Sequence, residues 1–277
     1  MYIKITNKKV KISVLMPAYN AERYIVDSIE SILNQTFEDF EFIIVNDAST
    51  DRTLDIIKKY ANKDKRIKFL SNKKNKGIAG TRNILVKKSK GKYIAWQDAD
   101  DISIKDRLYR QYLYMEKHKN VGICGGYLEI FNERGVVGIR KYKTTDKELR
   151  NRIFRYSPVA QPTSIIRKKI IDRVGYYNLN MPPAEDIDMS FRIGMVSEFA
   201  NLPMITLKYR EHFNSATFNK LKTIEINTLK TRLKYIGKGT YSISAYDIIY
   251  NIIQYLTLWI MPAKFRIKLF NFIRNFL

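Results

Sequence analysis

Short apolar runs and helical repeats alternate through the first hundred positions. Ile12-Ser13-Val14-Leu15-Met16, closed by Pro17, is β-favouring and reads as a first strand. Asn20 can cap a helix starting at Ala21, where Ile25, Ile29, Ile32 and Leu33 recur on one helical face. Phe42-Ile43-Ile44-Val45 is unbroken, as expected of a strand covered on both sides. A helix through Ile56, Ile57 and Tyr60 follows, then a strand at Ile67-Lys68-Phe69-Leu70. After a turn at Asn75-Lys76-Gly77 come a helix from Thr81 to Lys88 and a strand from Tyr93 to Trp96. This alternation predicts an α/β fold of Rossmann-like type, a predominantly parallel sheet with helices on both faces.

The second half is less regular. A helix from Asp106 to Lys117 leads into a glycine-rich strand, Val121 to Gly126, and Gly135 marks a hairpin before Val136 to Tyr142. A helix from Asp146 to Tyr156, a strand from Thr163 to Ile166, a loop at Met181-Pro182-Pro183 and a helix from Glu185 to Met195 complete the pattern. The last helix opens on carboxylates, which suit its dipole. From about Thr217 acidic residues nearly vanish, so a boundary is expected near Phe218. It separates an α/β domain (1–217, with halves 11–101 and 102–217) from a basic, aromatic helical appendage (218–277).

In such sheets ligands bind outside the carboxyl ends of the strands. Pro17-Ala18-Tyr19, Asn46-Asp47 and Asp98-Ala99-Asp100 each follow a predicted strand, so they should share one rim. Asp98, Asp100 and Asp101 repel one another, and a hard divalent cation would relieve that repulsion while leaving positions for phosphate oxygens. The alternative for the triplet alone is a solvated turn that caps the next helix.

Net charge narrows the partners. With 50 Lys and Arg against 27 Asp and Glu, the chain carries +23, which calls for nucleic acid, anionic lipid or a phosphorylated substrate. No RNA-binding aromatic signature or zinc finger is visible, and strand-end carboxylates would repel a nucleic acid backbone, so no nucleic acid partner is expected. Cys124 is the single cysteine, which fits a reducing compartment. Met1-Tyr2-Ile3-Lys4 lacks the apolar core of a signal peptide, so a cytoplasmic location is expected.

Ser13 to Asn20 with Ser31 to Thr36 resembles the opening of the family 2 glycosyltransferases of GT-A fold. The likeness continues through Val45 to Asp51, Thr81-Arg82-Asn83, Asp98 to Asp101 with Arg107-Leu108 and Gln111, Gln161-Pro162-Thr163, Gly175-Tyr176 and Glu185 to Asp188. It closes at Tyr209 to His212 with Asn214-Ser215. The resemblance implies an inverting transferase using a nucleotide-diphosphate sugar, usually a UDP sugar, with Mn²⁺ or Mg²⁺. It also implies a glycan or polyprenyl-linked acceptor in bacterial surface-polysaccharide synthesis.

By the same resemblance Pro17, Ala18 and Tyr19 line the nucleotide slot, and Asp47 meets uracil unless it caps the following helix. Arg82 approaches base or diphosphate unless it is a plain surface arginine. Asp98 and Ala99 belong to the donor loop, Asp100 takes the metal and Asp98 the ribose or a metal water, and Asp101 orients or caps the loop. His212 ligates metal or contacts phosphate, or is structural. Asp186 is the general base, with Glu185 and Gln161 on the acceptor side; relatives often carry histidine at the position of Gln161. Another metal-dependent nucleotidyl or phosphoryl transferase could use the same acidic triplet. Lys264 to Leu277 interleaves basic with aromatic and aliphatic residues, as a helix in a membrane interface does. That expectation makes the protein peripheral at the inner face of the plasma membrane; the alternative is a tail packed on the domain or on a homodimer partner.

Overall fold

The computed structural model describes residues 10–181, 183–212 and 220–262, together with Phe265, Arg266, Leu269, Phe270 and Ile273. Its first half repeats one unit. The strands β1 (Ile12–Ala18), β2 (Phe40–Asn46), β3 (Ile67–Ser71) and β4 (Tyr93–Trp96) alternate with helices α1 (Ile25–Leu33), α2 (Thr53–Lys63) and α3 (Gly77–Lys88). All four strands run parallel in the order β3-β2-β1-β4.

Every residue of β2 is buried, as its unbroken apolar run requires. Side chains alternate across the sheet: Val14, Met16, Phe42 and Ile44 join Ile25, Ile29 and Ile57 on one face. Leu15, Ile43, Val45, Ile94 and Trp96 join Leu85 and Val86 on the other. Ala18 lies opposite Asn46 and Asn46 opposite Ser71, so three strands end level; Trp96 ends beside Leu15.

The remaining strands extend the sheet mostly antiparallel. They are β5 (Ile102–Ser103), β6 (Val121–Asn132), β7 (Gly135–Arg140), β8 (Ile165–Arg167) and β9 (Glu198–Arg210). β8 joins β4 to β6, and β6 runs parallel to β9 from Val121 opposite Glu198 to Phe131 opposite Arg210. Gly125 and Gly126 permit the close approach of β6 to its neighbours. A Cβ on Gly126 would lie 2.3 Å from Thr206 Cγ2, and one on Gly125 2.5 Å from Asn201 Oδ1 and Val159 Cγ1. β5 pairs antiparallel with the end of β9, Ile102 opposite Lys208, which brings Arg210 and His212 to the loop after β4.

The helices of this half are α4 (Arg107–Lys117), α5 (Asp146–Arg150), α6 (Lys168–Val174) and α7 (Glu185–Gly194). Several boundaries differ from expectation. The first helix begins at Ile25 rather than Ala21, because Asn20 adopts φ +46° and turns its Oδ1 to accept from the Thr50 N–H (2.9 Å). The helix expected to reach Tyr156 stops at Arg150 and continues as turns, and the expected strand at Thr163 opens with a 3₁₀ turn, Gln161–Thr163.

Two C-terminal helices follow, α8 (Leu221–Tyr235) and α9 (Ala245–Ile260). α9 starts with a capping box in which Ser244 and Asp247 satisfy each other's backbone N–H groups. α8 packs on α7, where Tyr235 stacks on Phe191 at 4.6 Å and Asp188 accepts from Lys234 Nζ (2.8 Å) and Tyr235 Oη (3.1 Å). The expected boundary at Phe218 lies outside the described residues. Of the Lys264–Leu277 tail, the described Arg266 is buried against Glu225 of α8 (2.7 Å), and Phe270 meets Tyr250 of α9 edge-on at 5.3 Å.

Candidate active site

Gln97 at the end of β4 organises the acidic loop from beneath. Its fully buried amide donates to Ser28 Oγ (2.9 Å), Asp98 O (3.2 Å) and Asp101 O (2.8 Å), and its Oε1 accepts from Ser103 Oγ (2.6 Å). Behind it lies Arg107, also fully buried, donating to Trp96 O (2.8 Å), Ser103 Oγ (2.9 Å), Gln111 Oε1 (3.2 Å) and, at 3.4 Å, Gln97 Oε1 and Ser164 O. Burial pulls this guanidinium down to about 10, against the pull of the Asp101 carboxylate.

Asp101 is buried; its Oδ1 accepts from the Arg210 N–H (3.0 Å) and its Oδ2 has no hydrogen-bond partner. Burial, then the carboxylates of Asp100 and Asp98, push its pKa well above the usual range. Asp101 thus ties the end of β9 to the loop, the orienting role expected of it. Arg210 adds a bond from Nε to Asp100 O (2.9 Å) and lies between the rings of Tyr24 and Phe131. Asp98 and Asp100 are half-buried. Burial drives Asp98 up to about 6, helped by Asp100, Asp186 and Glu185 and opposed by Arg82. Asp100 Oδ2 lies 2.9 Å from His212 Nε2, and the imidazole packs on Tyr24 at 4.7 Å.

On the neighbouring strand ends Pro17 and Ala18 finish β1, and Tyr19 stands 52% exposed over the rim. Asp47 caps neither α2 nor a loop of its own. Its Oδ1 accepts from Asn72 Nδ2 (2.7 Å) and the Lys76 N–H (2.9 Å), which ties β2 to the start of α3. The start of α2 is held instead by Asp51, whose Oδ1 accepts from the Thr53 N–H (3.0 Å).

Arg82 is not a surface arginine. It is buried beneath Trp96 and Tyr177, donates from Nη1 to Glu185 Oε1 (2.5 Å), and approaches Asp98 Oδ1 at 3.8 Å. Glu185, expected on the acceptor side, is itself buried, and both its oxygens are taken: Oε2 accepts from the Ala184 N–H (3.1 Å). It anchors Arg82 at the start of α7. Asp186, the next residue, is half-buried; its Oδ1 accepts from the Ile187 N–H (2.9 Å), and burial with the Glu185 carboxylate raises its pKa. Gln161 is buried and donates to Tyr177 Oη (2.8 Å), so it supports the aromatic lid of Arg82 instead of lining an open cleft. Asp188 is structural, held by Arg192 (2.9 Å) and by Lys234 and Tyr235 of α8.

Residues 13–175 match the profile of glycosyl transferase family 2. This chain belongs to that family. It is a glycosyltransferase of GT-A fold, which removes the nucleotidyl-transferase and nucleic-acid alternatives. An uncharacterised glycosyltransferase of Haemophilus influenzae is 37% identical over 217 residues, covering 74% of this chain and 67% of its own. The Escherichia coli UDP-Glc:alpha-D-GlcNAc-diphosphoundecaprenol beta-1,3-glucosyltransferase WfaP is 32% identical, covering 79% of this chain and 86% of its own. Among solved structures, Staphylococcus aureus TarS 1-349 in complex with UDP-GlcNAc superposes with TM-score 0.67 at 23% identity, over 88% of this chain and 71% of that one. The mannosyltransferase PcManGT of Pyrobaculum calidifontis, in complex with GDP-Man and Mn²⁺, does so with TM-score 0.65 at 16% identity, over 90% and 69%. These structural likenesses establish the fold.

Among the described residues of this glycosyltransferase, no group of three or more His, Cys, Asp and Glu side chains is gathered to hold a metal ion. Asp98 and Asp100 of one loop, with His212 paired to Asp100, are two carboxylates and an imidazole, donor types that a divalent cation such as Mn²⁺ accepts. Such a set suits an ion that draws its remaining ligands from phosphate oxygens and water. Arg210 was recognised only as part of the closing Tyr209–His212 segment, with no role, and Tyr177 was missed from the sequence. Tyr177, whose backbone N–H donates to Asn83 Oδ1 (2.8 Å) and whose carbonyl accepts from Asn83 Nδ2 (2.9 Å), stands next to Gly175-Tyr176 but carries no signal of its own.

Proposed function

We propose that this glycosyltransferase is inverting and moves a sugar from a UDP sugar to a hydroxyl of a lipid-linked glycan. The setting would be bacterial surface-polysaccharide synthesis at the cytoplasmic face of the membrane. The observation that carries this reading is the Arg82 bridge. One buried guanidinium joins Asp98 of the donor loop to Glu185, the neighbour of Asp186, so a loop suited to diphosphate and a helix suited to a base share one charged support. The donor and acceptor classes follow WfaP, whose name specifies UDP-Glc and a GlcNAc-diphosphoundecaprenol acceptor.

Asp186 takes the proton of the acceptor hydroxyl at Oδ2, since Oδ1 is held by the Ile187 N–H. The acceptor oxygen then bonds to the anomeric carbon as the bond from that carbon to the diphosphate oxygen breaks, and the diphosphate leaves with the electron pair. The raised pKa of Asp186 makes it a better base than an ordinary aspartate. Tyr19 packs near base or ribose, and the second oxygen of Asp47 meets uracil. A divalent cation held by Asp98, Asp100 and His212 would supply neutralisation of the departing diphosphate.

The test is Asp186→Asn. Transfer should fall by about 10²–10⁴-fold, while UDP with Mn²⁺ still raises the melting temperature as in the wild type. Transfer within a few-fold of wild type would remove Asp186 from the role of base.

A further inference from the structure

Helix α9 is inside out. The residues it turns toward the protein are largely polar: Asp247 pairs with Arg155 (2.5 Å), and Asn251 and Gln254 accept from Arg232 Nη1 (3.0 and 2.8 Å). Most of its apolar residues face outward, with Tyr250 and Leu258 as buried exceptions. Ile248, Ile249, Ile252, Ile253, Leu256 and Trp259 are all exposed, Leu256 by 54% and Trp259 by 62%. A contiguous apolar face of this kind is uncommon on a monomeric soluble protein and marks an interaction surface.

The charge around it is of one sign. From Lys220 to Leu277 the only acidic residues are Glu225 and Asp247, and both are buried against arginines. Lys220, Lys222, Lys230, Lys234 and Lys238 are exposed. Lys222 Nζ lies 4.2 Å from the Trp259 ring centroid, a cation at the edge of the apolar face. Two copies meeting through α9 would set lysines against lysines, whereas anionic head groups would complement them. At 16 residues α9 is about 24 Å long, short of the roughly 30 Å hydrocarbon core. Among the described residues no helix is long and apolar enough to cross a membrane.

We infer that α9 lies in the surface of an anionic bilayer, its apolar face below the head groups and its flanking lysines among the phosphates. The docking element is thus upstream of the Lys264–Leu277 tail. Arg232 joins α9 to α8, and Lys234 and Tyr235 join α8 to Asp188 of α7, one turn or less from Asp186. Docking would therefore hold the acceptor half at a fixed height over the lipid. This deepens the membrane-side part of the proposed function but does not depend on the donor or on the base.

The experiment is co-sedimentation of the full chain with vesicles, without donor or acceptor, so that a failure of the catalytic reading leaves it untouched. Wild type should bind vesicles of phosphatidylglycerol mixed with phosphatidylcholine and not bind pure phosphatidylcholine. Ile249→Glu with Leu256→Glu should weaken binding at least about tenfold, with an unchanged melting temperature and unchanged donor hydrolysis. Lys222→Glu with Lys230→Glu, which leaves the apolar face intact, should weaken it as well. Equal binding to both vesicle types, or to neither, overturns the inference. So does a double glutamate variant that binds as wild type, whether because the tail alone anchors the protein or because α9 is shown to dissociate a dimer instead.

Discussion

The loop Gln97–Asp101 and helix α9 depart from the ordinary partition of polar and apolar groups in opposite directions. The loop takes carboxylates out of water: Asp101 is buried with one oxygen unpartnered, and Asp98 is raised to about 6. The helix leaves isoleucines, leucine and tryptophan in water and buries its amides. Each arrangement is costly in the chain alone, and each would be relieved by a partner of a particular kind, cation and diphosphate in one place and lipid in the other. They differ in what holds them. The loop rests on a buried, fully bonded arginine in the core, whereas α9 is fastened by polar bonds at the margin.

That difference is most sharply tested at Arg107. Arg107→Met keeps the volume but strands Gln97, Ser103, Gln111 and two backbone carbonyls without their donor, and leaves Asp101 without its nearby countercharge. The expected loss is about 3–5 kcal/mol of unfolding free energy, measured by chemical denaturation, with loss of UDP binding in the fraction that remains folded. A cost under about 1 kcal/mol would mean that packing, and not the buried charge, supports the loop.

The next test falls on the joint between the two regions. Burial would raise the pKa of Asp188, but Lys234 and Arg192 outweigh it and hold the carboxyl below its ordinary value. A depressed native pKa stabilises the fold above the ordinary value of 3.8 and loses that contribution as pH falls through the native value. Asp188→Asn should therefore cost about 1–3 kcal/mol at neutral pH. The gap to wild type should close as the pH is lowered past 3.8. A gap that stays constant with pH would show that shape, not charge, fastens α8 to α7.

How legible these regions were in the sequence follows from the range of their contacts. The parallel strands β1, β2 and β4 each contain an apolar run of at least three residues, while Lys68 breaks that of β3, and the ends of β1, β2 and β4 lie on one rim as expected. β9 was missed: Pro203 interrupts it, and the pairing slips there, from Gly126 opposite Leu202 to Tyr127 opposite Ile205. The acidic loop was legible as chemistry but not as architecture. Its clamps, Arg210 and Arg107, come from β9 and α4, and Glu185 and Gln161 turned inward because Arg82 and Tyr177 needed partners there. Asn20 was read as a local cap, yet it bonds across to another strand-end loop, and Asp47 makes a cross-loop bond of the same kind with one of its two oxygens. In α9, Asn251 and Gln254 break an otherwise apolar stretch of sequence, and they are the side by which the helix is attached.

The smallest effect gives the most specific test of that last point. In an ordinary amphipathic helix an isoleucine is the anchor and a glutamine faces solvent, so replacing the isoleucine destabilises the fold. In α9 the expectation reverses. Ile252 is exposed, and glutamine is a good helix former, so Ile252→Gln should change stability by no more than about 0.5 kcal/mol. Two residues on, Gln254→Leu removes an acceptor from Arg232 Nη1 in a buried setting and should cost about 1–3 kcal/mol, although it makes the helix more apolar. Thermal melts of the two variants in vesicle-free buffer measure the contrast directly. If Ile252→Gln is the more damaging of the two, the apolar face of α9 is packed against this chain, and the helix is not inverted.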